Sequence, residues 1–218
     1  DAAQWLESMT RAERTQNFEG TFVYERDGDF STYQVWHRAG NGGVHERVLK
    51  LDGIASERVQ VAGRTSCATG NPVLGVVQGP GGYDGLVDPL KLMSWYELRV
   101  AGASRVAGRD AVVVTLVPKD RDRYAFEMHL DTRTGLLLKS LLIDAQGRLL
   151  ERLQYTRLAP GAPASADLIA TPNCKPVLHT VAGPAPREVS AWRSKWIPAG
   201  FELAQTGLRK SSASNASV

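Results

Sequence analysis

The 218-residue chain has no apolar run near the roughly 18–20 residues that a membrane-crossing helix needs, and its longest, such as Ala111–Val117, have strand length. It has only two cysteines, Cys67 and Cys174, neither in the CxxC spacing of a redox or zinc motif. It has no Lys/Arg block, and 26 basic against 23 acidic residues leave a formal charge of only +3. So mild an excess argues against a nucleic-acid binder while permitting contact with anionic lipid or an acidic partner. There is no GxSxG, and Cys67 lies in "TSCATG", which is not a nucleophile context. His37, His45, His129 and His179 lack an HxH or HExxH companion, so no metal, cofactor or catalytic triad is expected. His129, between Met128 and Leu130, is expected to point from a strand into solvent. The carboxylate pairs Asp120/Asp122 and Glu25/Asp27 are flanked by Arg or Gly in turn-like contexts that keep them solvated and ionised, unlike a glycosidase acid. The "GPGG" of Gly79–Gly82 lacks the Lys-Ser/Thr of a phosphate loop. These absences point away from an enzyme.

What is present reads as an ordinary globular chain, 43% apolar and 22% charged, long enough for one large domain plus a fragment of a second. Asp1 to Asn17 has amphipathic helical spacing, with Trp5, Leu6 and Met9 on one face, and Gly20 closes that region. Period two then dominates in "EGTFVYER", "STYQVWHR", "HERVLKLDG" and "SERVQVAGR", each ending in turn residues, as in an antiparallel meander. Residues 70–85, with six glycines and two prolines, predict a long irregular loop. After it, "LVDPLKLMSWYEL" predicts a second helix, with Asp88 as N-cap and Leu90, Met93 and Tyr96–Glu97 at helical spacing.

Strand patterning resumes to about Leu158. Within it, Val112, Val114 and Leu116 share one side of a strand that Pro118 ends, and Tyr124, Phe126, Met128 and Leu130 form the core face of the return strand. "KDRDR", Lys119–Arg123, lies between them and reads as a solvated hairpin tip. Residues 159–186, rich in Ala, Pro and Gly, predict a linker, and 187–218 the incomplete start of a second domain. About ten antiparallel strands and two helices, without βαβ alternation, predict a mainly β, half-closed barrel covered by helices.

In a reducing compartment Cys67 and Cys174 would be free thiols; in an oxidising one, two loop cysteines more often pair. The opening "DAAQWLESM", without Met or an apolar leader, is what a mature exported protein shows after its signal peptide is removed.

The segments "FEGTFVYERDGDFSTYQVWHR", "DPLKLMSWYELRVAGASRVAGR", "RVAGRDAVVVTLVPKDRDRYAFEMHLDTRTGLLLKSLLIDAQGRLLERLQYT" and "AWRSKWIPAGFEL" resemble the MucB/RseB family across essentially the whole chain. That resemblance implies a large N-terminal domain like the lipoprotein carriers LolA and LolB, an open β-barrel with helices, then a smaller C-terminal domain several strands longer than residues 187–218 allow. It implies a periplasmic negative regulator of an envelope-stress sigma factor, one that controls alginate production in Pseudomonas. Such a regulator binds the periplasmic domain of a MucA/RseA-type anti-sigma factor, shields it from proteolysis, and is released by lipopolysaccharide or mislocalised lipoprotein. A homodimer is compatible with this, and a LolA-type lipid or lipoprotein carrier is the alternative. Family members carry cysteines in contexts resembling "RTSC" and "NC", so a Cys67–Cys174 disulfide is expected. The expected lipid-side residues are Trp5, Phe22, Leu86, Leu90, Met93, Trp95 and Tyr96. The expected partner-side residues are Trp192, Arg193, Trp196, Phe201 and Arg209, since exposed tryptophan and arginine are favoured at hot spots.

Overall fold

The first helix, α1 (Ala2–Thr15), starts where reciprocal hydrogen bonds close its end. Asp1 Oδ1 accepts from the Gln4 amide at 2.9 Å, and Gln4 Oε1 accepts from the terminal amine at 2.7 Å, satisfying donors that a helix start otherwise leaves open. Ala2, Leu6, Met9 and Ala12 recur at three- and four-residue spacing and form its buried face. The helix ends at Gln16, whose backbone turns extended. Gly20 is not the stop expected of it: it lies inside the next strand, where a Cβ would meet the Tyr155 ring and the Arg157 carbonyl oxygen at 2.8 Å. A bare α-carbon is what lets Tyr155 lie across that strand.

A computed structural model of the chain describes residues 1–70, 89–177 and 195–201. Two compact units divide it, Asp1–Leu178 and His179–Val218. In the first, the strands in chain order are β1 (Phe18–Arg26), β2 (Asp29–Arg38), β3 (His45–Lys50), β4 (Glu57–Val61), β5 (Arg64–Thr69), β6 (Tyr96–Val106), β7 (Arg109–Pro118), β8 (Ala125–Asp131), β9 (Leu137–Ile143), β10 (Leu149–Pro160) and β11 (Lys175–Pro176). They form one antiparallel sheet in the order β11-β5-β4-β3-β2-β1-β10-β9-β8-β7-β6. Each neighbour pair is a hairpin except β1–β10, which joins the two meanders, and β5–β11, which adds the last short strand. Among the described residues the sheet is open, with β6 and β11 at its edges. The mainly β, open-sheet expectation holds.

Tight hairpins follow from local sequence. At Asp27–Gly28 both central residues have positive φ, the mirror-image turn whose twist matches that of the flanking strands. The second helix, α2 (Pro89–Trp95), is shorter than expected. Tyr96 and Glu97 already belong to β6, because Tyr96 pairs with Pro118 and Glu97 with Val117 of β7. The proposed N-cap Asp88 lies outside the described residues.

The segment from 159 does not begin as a linker. β10 runs to Pro160, a 3-10 turn follows at Ser165–Leu168, and β11 pairs with β5. Arg47 donates to the Asp167 carbonyl at 3.0 Å and Arg38 to Ser165 Oγ at 3.1 Å. These contacts strap the segment onto the first unit. In the second unit the Phe201 amide donates to the Pro198 carbonyl at 3.1 Å, closing a turn.

Candidate ligand and partner surfaces

Apolar side chains on the sheet and α1 divide into two clusters. The first holds Ala12, Phe18, Phe22, Tyr33, Val35, Leu138, Leu153 and Tyr155, and it is filled by rings: Phe22 stacks on Tyr33 at 5.2 Å and tilts against Tyr155 at 5.5 Å. The second holds Leu6, Met9, Val114, Leu116, Met128 and Leu130, with Trp5, Leu92, Tyr96, Leu98 and Phe126 packed against it at its partly exposed rim. Burying an aliphatic side chain such as Leu6 contributes about 1.5–3 kcal/mol, so α1 is a structural cover of this face.

The structure therefore separates the expected lipid-side residues. Trp5 and Tyr96 each pack against the second cluster at its rim. Phe22 is fully buried in the first, as a core ring. Leu90 and Met93 project from α2 into solvent, Leu90 at 78% exposure. Leu86 lies outside the described residues, as do Trp192, Arg193 and Arg209 on the partner side. Trp196 and Phe201 are described and exposed.

Trp95 holds α2 to the rest of the unit through the charged tip. The Arg123 guanidinium lies 4.2 Å from its ring centroid and pairs with Asp120, whose other oxygen accepts from the Asp122 amide at 3.0 Å. Lys119 donates from its amide to the Trp95 carbonyl at 2.9 Å and from Nζ to that of Met93, satisfying two carbonyls at the helix end. "KDRDR" is thus more than the solvated tip expected: Arg121 and Asp122 are exposed, but Arg123 is buried beneath the helix it clasps. Tyr124, expected in the core, is exposed, because the strand begins only at Ala125.

The residues that periodicity did not single out are buried charges. His37 on β2 sits 2.7 Å from Glu46 Oε2 on β3, and Arg58 on β4 donates to Glu46 Oε1 at 2.8 Å. Burial alone would raise the Glu46 carboxyl, but the hydrogen bonds and charges of His37 and Arg58 outweigh it and hold it below the usual range. Burial pulls His37 down, yet Glu46 and the Glu13 carbonyl raise it overall. Glu13, on α1 above them, is pushed up to about 8 by burial and then by the Glu46 charge. The signal was present in the alternation: His37 shares its face of β2 with Tyr33 and Val35, and Glu46 shares its face of β3 with Val48.

His129 is likewise buried, contrary to expectation. Ser104 Oγ lies 2.6 Å from Nδ1 and Glu127 Oε1 lies 2.8 Å from Nε2, giving both nitrogens a partner away from water. On the other edge, Glu57 accepts from the Thr171 amide at 3.0 Å, from its hydroxyl and from Arg47 Nε at 2.8 Å. Burial raises Glu57, and these bonds bring its carboxyl down below the ordinary value. Cys67 and Cys174 are joined in a disulfide beside this clamp. Among the described residues no cluster of His, Cys, Asp and Glu is arranged to hold a metal, and no helix is long and apolar enough to cross a membrane.

Residues 1–173 match the family model described as the MucB/RseB N-terminal domain. The chain is 47% identical over 216 residues to the sigma factor AlgU regulatory protein MucB of Pseudomonas aeruginosa, covering 97% of this chain and 67% of that protein. It is 27% identical over 209 residues to the sigma-E factor regulatory protein RseB of Haemophilus influenzae, covering 93% and 66% respectively. The crystal structure of MucB in complex with MucA(peri) aligns with a TM-score of 0.79 at 47% identity, over 98% of this chain and 72% of that one. The chain spans about two thirds of the length of the two relatives, MucB and RseB.

Proposed function

We propose that this chain, which belongs to the MucB/RseB family, is a periplasmic regulatory protein that binds the periplasmic domain of a MucA/RseA-type anti-sigma factor. In this reading the bound regulator protects the anti-sigma factor from proteolysis, and lipopolysaccharide or mislocalised lipoprotein releases it. The observation that carries it is 47% identity, sustained over 97% of this chain, to a sigma-factor regulatory protein. An exposed indole at Trp196 and an exposed ring at Phe201 support the second unit as the partner side. On the lipid side, the rim around Trp5 and Tyr96, with the α2 residues Leu90, Met93 and Trp95 beside it, supports acyl-chain contact at about 0.8 kcal/mol per buried CH₂.

Mechanistically the two ligands are linked. If the lipid-bound form holds the anti-sigma segment less tightly, each ligand weakens the other by the same factor. The test is capture of a MucA-type periplasmic domain by this chain, with and without lipopolysaccharide. Binding without lipid that falls as lipid is added is the expected result. A folded protein that captures none in lipid-free buffer would overturn the reading.

A further inference from the structure

Between α1 and the β8–β9 turn runs a groove of about 320 Å³ whose polar chemistry is one-sided. Arg11 lines it from the helix and Arg133 from the turn, with Ser8, Gln16 and Thr134 between them, and among the described residues no carboxylate lines it. Arg11 donates to Ser8 Oγ at 3.1 Å, which leaves the Ser8 proton and the other Arg11 N–H groups unassigned. Thr134 Oγ1 accepts from the Leu136 amide at 3.3 Å and keeps its own proton to donate. The Arg133 guanidinium and the Gln16 side-chain amide have no partner among the described residues.

The turn that carries Arg133 is fixed before any ligand arrives. Asp131 Oδ1 accepts from the Arg133 amide at 2.8 Å and the Thr134 amide at 2.9 Å, while Asp131 Oδ2 pairs with Arg109. Gly135 has φ +80°, and a Cβ there would lie 2.9 Å from the Ser8 carbonyl oxygen, so the turn presses directly on the helix. The backbone that carries Arg133 is therefore held by the buried Asp131, and Arg11 projects from α1 with its side chain on Ser8. Trp5, at one end of the groove, also belongs to the rim of the second apolar cluster.

We propose that this groove binds a phosphate group borne on a molecule with an apolar or ring-shaped body. Two guanidinium groups, two hydroxyls and an amide offer more donors than the two oxygens of a carboxylate can use, and they match the three or four oxygens of a phosphate. Trp5 supplies the flat apolar surface on which the body rests. The site deepens the lipid side of the proposed function, to which Trp5 also belongs, and rests on that reading; failure of phosphate binding leaves capture of the anti-sigma domain as a separate result.

The experiment titrates the full chain with inorganic phosphate, and separately with phosphatidylcholine vesicles with and without phosphatidic acid. Arg11→Gln and Arg133→Gln are each expected to weaken binding about tenfold without lowering the melting temperature, because each loses charge-assisted hydrogen bonds to the anion. Arg121→Gln, exposed at the β7–β8 turn, leaves binding unchanged. Binding of inorganic phosphate supports the site with a soluble phosphate ligand, and binding only of phosphatidic acid vesicles supports it with a lipid headgroup. No binding of either probe, binding that the Arg11→Gln/Arg133→Gln double variant retains, or preference for a Glu-rich peptide over both phosphates would overturn the proposal.

Discussion

His37 places one ring nitrogen 2.7 Å from Glu46 Oε2 and the other 2.7 Å from the Glu13 carbonyl oxygen, so a single imidazole joins β2, β3 and α1. Both neighbours are acceptors, and only the doubly protonated ring can donate to both. Phe18 stacks on the same ring at 4.7 Å, shielding it from water. The seating of α1 on the sheet is thus tied to a charge.

Stability should fall as pH rises from 4.5 toward about 8, because folded Glu13 keeps a proton that the unfolded chain has already lost. His37 contributes with the same sign: its stabilisation is complete below its ordinary 6.5 and is lost as pH rises through its raised folded value. Glu46 has the opposite sign, since its contribution is present above 4.5 and is lost as pH falls through its depressed value. Denaturant unfolding of Glu13→Gln across the 4.5-to-8 window should show a shallower decline than the parent protein. Parallel curves would count against the assignment.

Gly20→Ala should destabilise the first unit by about 1–3 kcal/mol, the usual range for overpacking. The new methyl would meet the Arg157 carbonyl oxygen on the paired strand β10 at 2.8 Å, and backbone held in a ladder cannot step aside as a flexible side chain would. Thermal unfolding of the variant measures the loss. An unchanged melting temperature would mean that β1 and β10 separate there without strain.

Arg123→Ala removes the cation over Trp95 and the partner of Asp120 together, which should cost about 2–4 kcal/mol of local stability around α2. Lys91 sits on that helix and is exposed, so trypsin should cut there faster in the variant than in the parent. Equal cleavage rates at Lys91 would show that the clasp does not hold the helix.

Reducing the Cys67–Cys174 bond should lower stability by roughly 4–5 kcal/mol in the chain-entropy account, since it closes a loop spanning 107 residues. Urea unfolding with and without a dithiol reductant gives the difference. Thr171→Val in the reduced protein should add to that loss, because it removes the hydroxyl donor to Glu57 in the same strap.

The strands were legible because alternation and turn residues are local properties: Asp27–Gly28 and the Lys119–Arg123 tip lie where the pattern placed them. α2 was misjudged at its end because "SWYEL" satisfies helical and alternating periods alike, and pairing with β7 decided between them. The strap at 159–177 read as a linker because its partners, Glu57 to Thr171 and Cys67 to Cys174, lie more than a hundred residues away in sequence. Among the expected lipid-side residues, Phe22 and Trp5 carry the same apolar signature, and only three-dimensional packing separates a core ring from a rim ring. His129 was read outward because its strand neighbours are apolar, whereas a serine on β6 and a glutamate two residues away make an inward imidazole affordable.

β11 is two residues long, and four residues after Cys174 the first unit ends at Leu178. Tension applied to the chain beyond Leu178 would, on hydrogen bonds alone, peel so short an edge strand off like tape. With Cys174 bonded to Cys67, the load passes instead into β5 through a covalent link, and peeling stops at residue 174. The disulfide is in this sense a strain relief, which lets tension beyond Leu178 pass without unzipping the first unit.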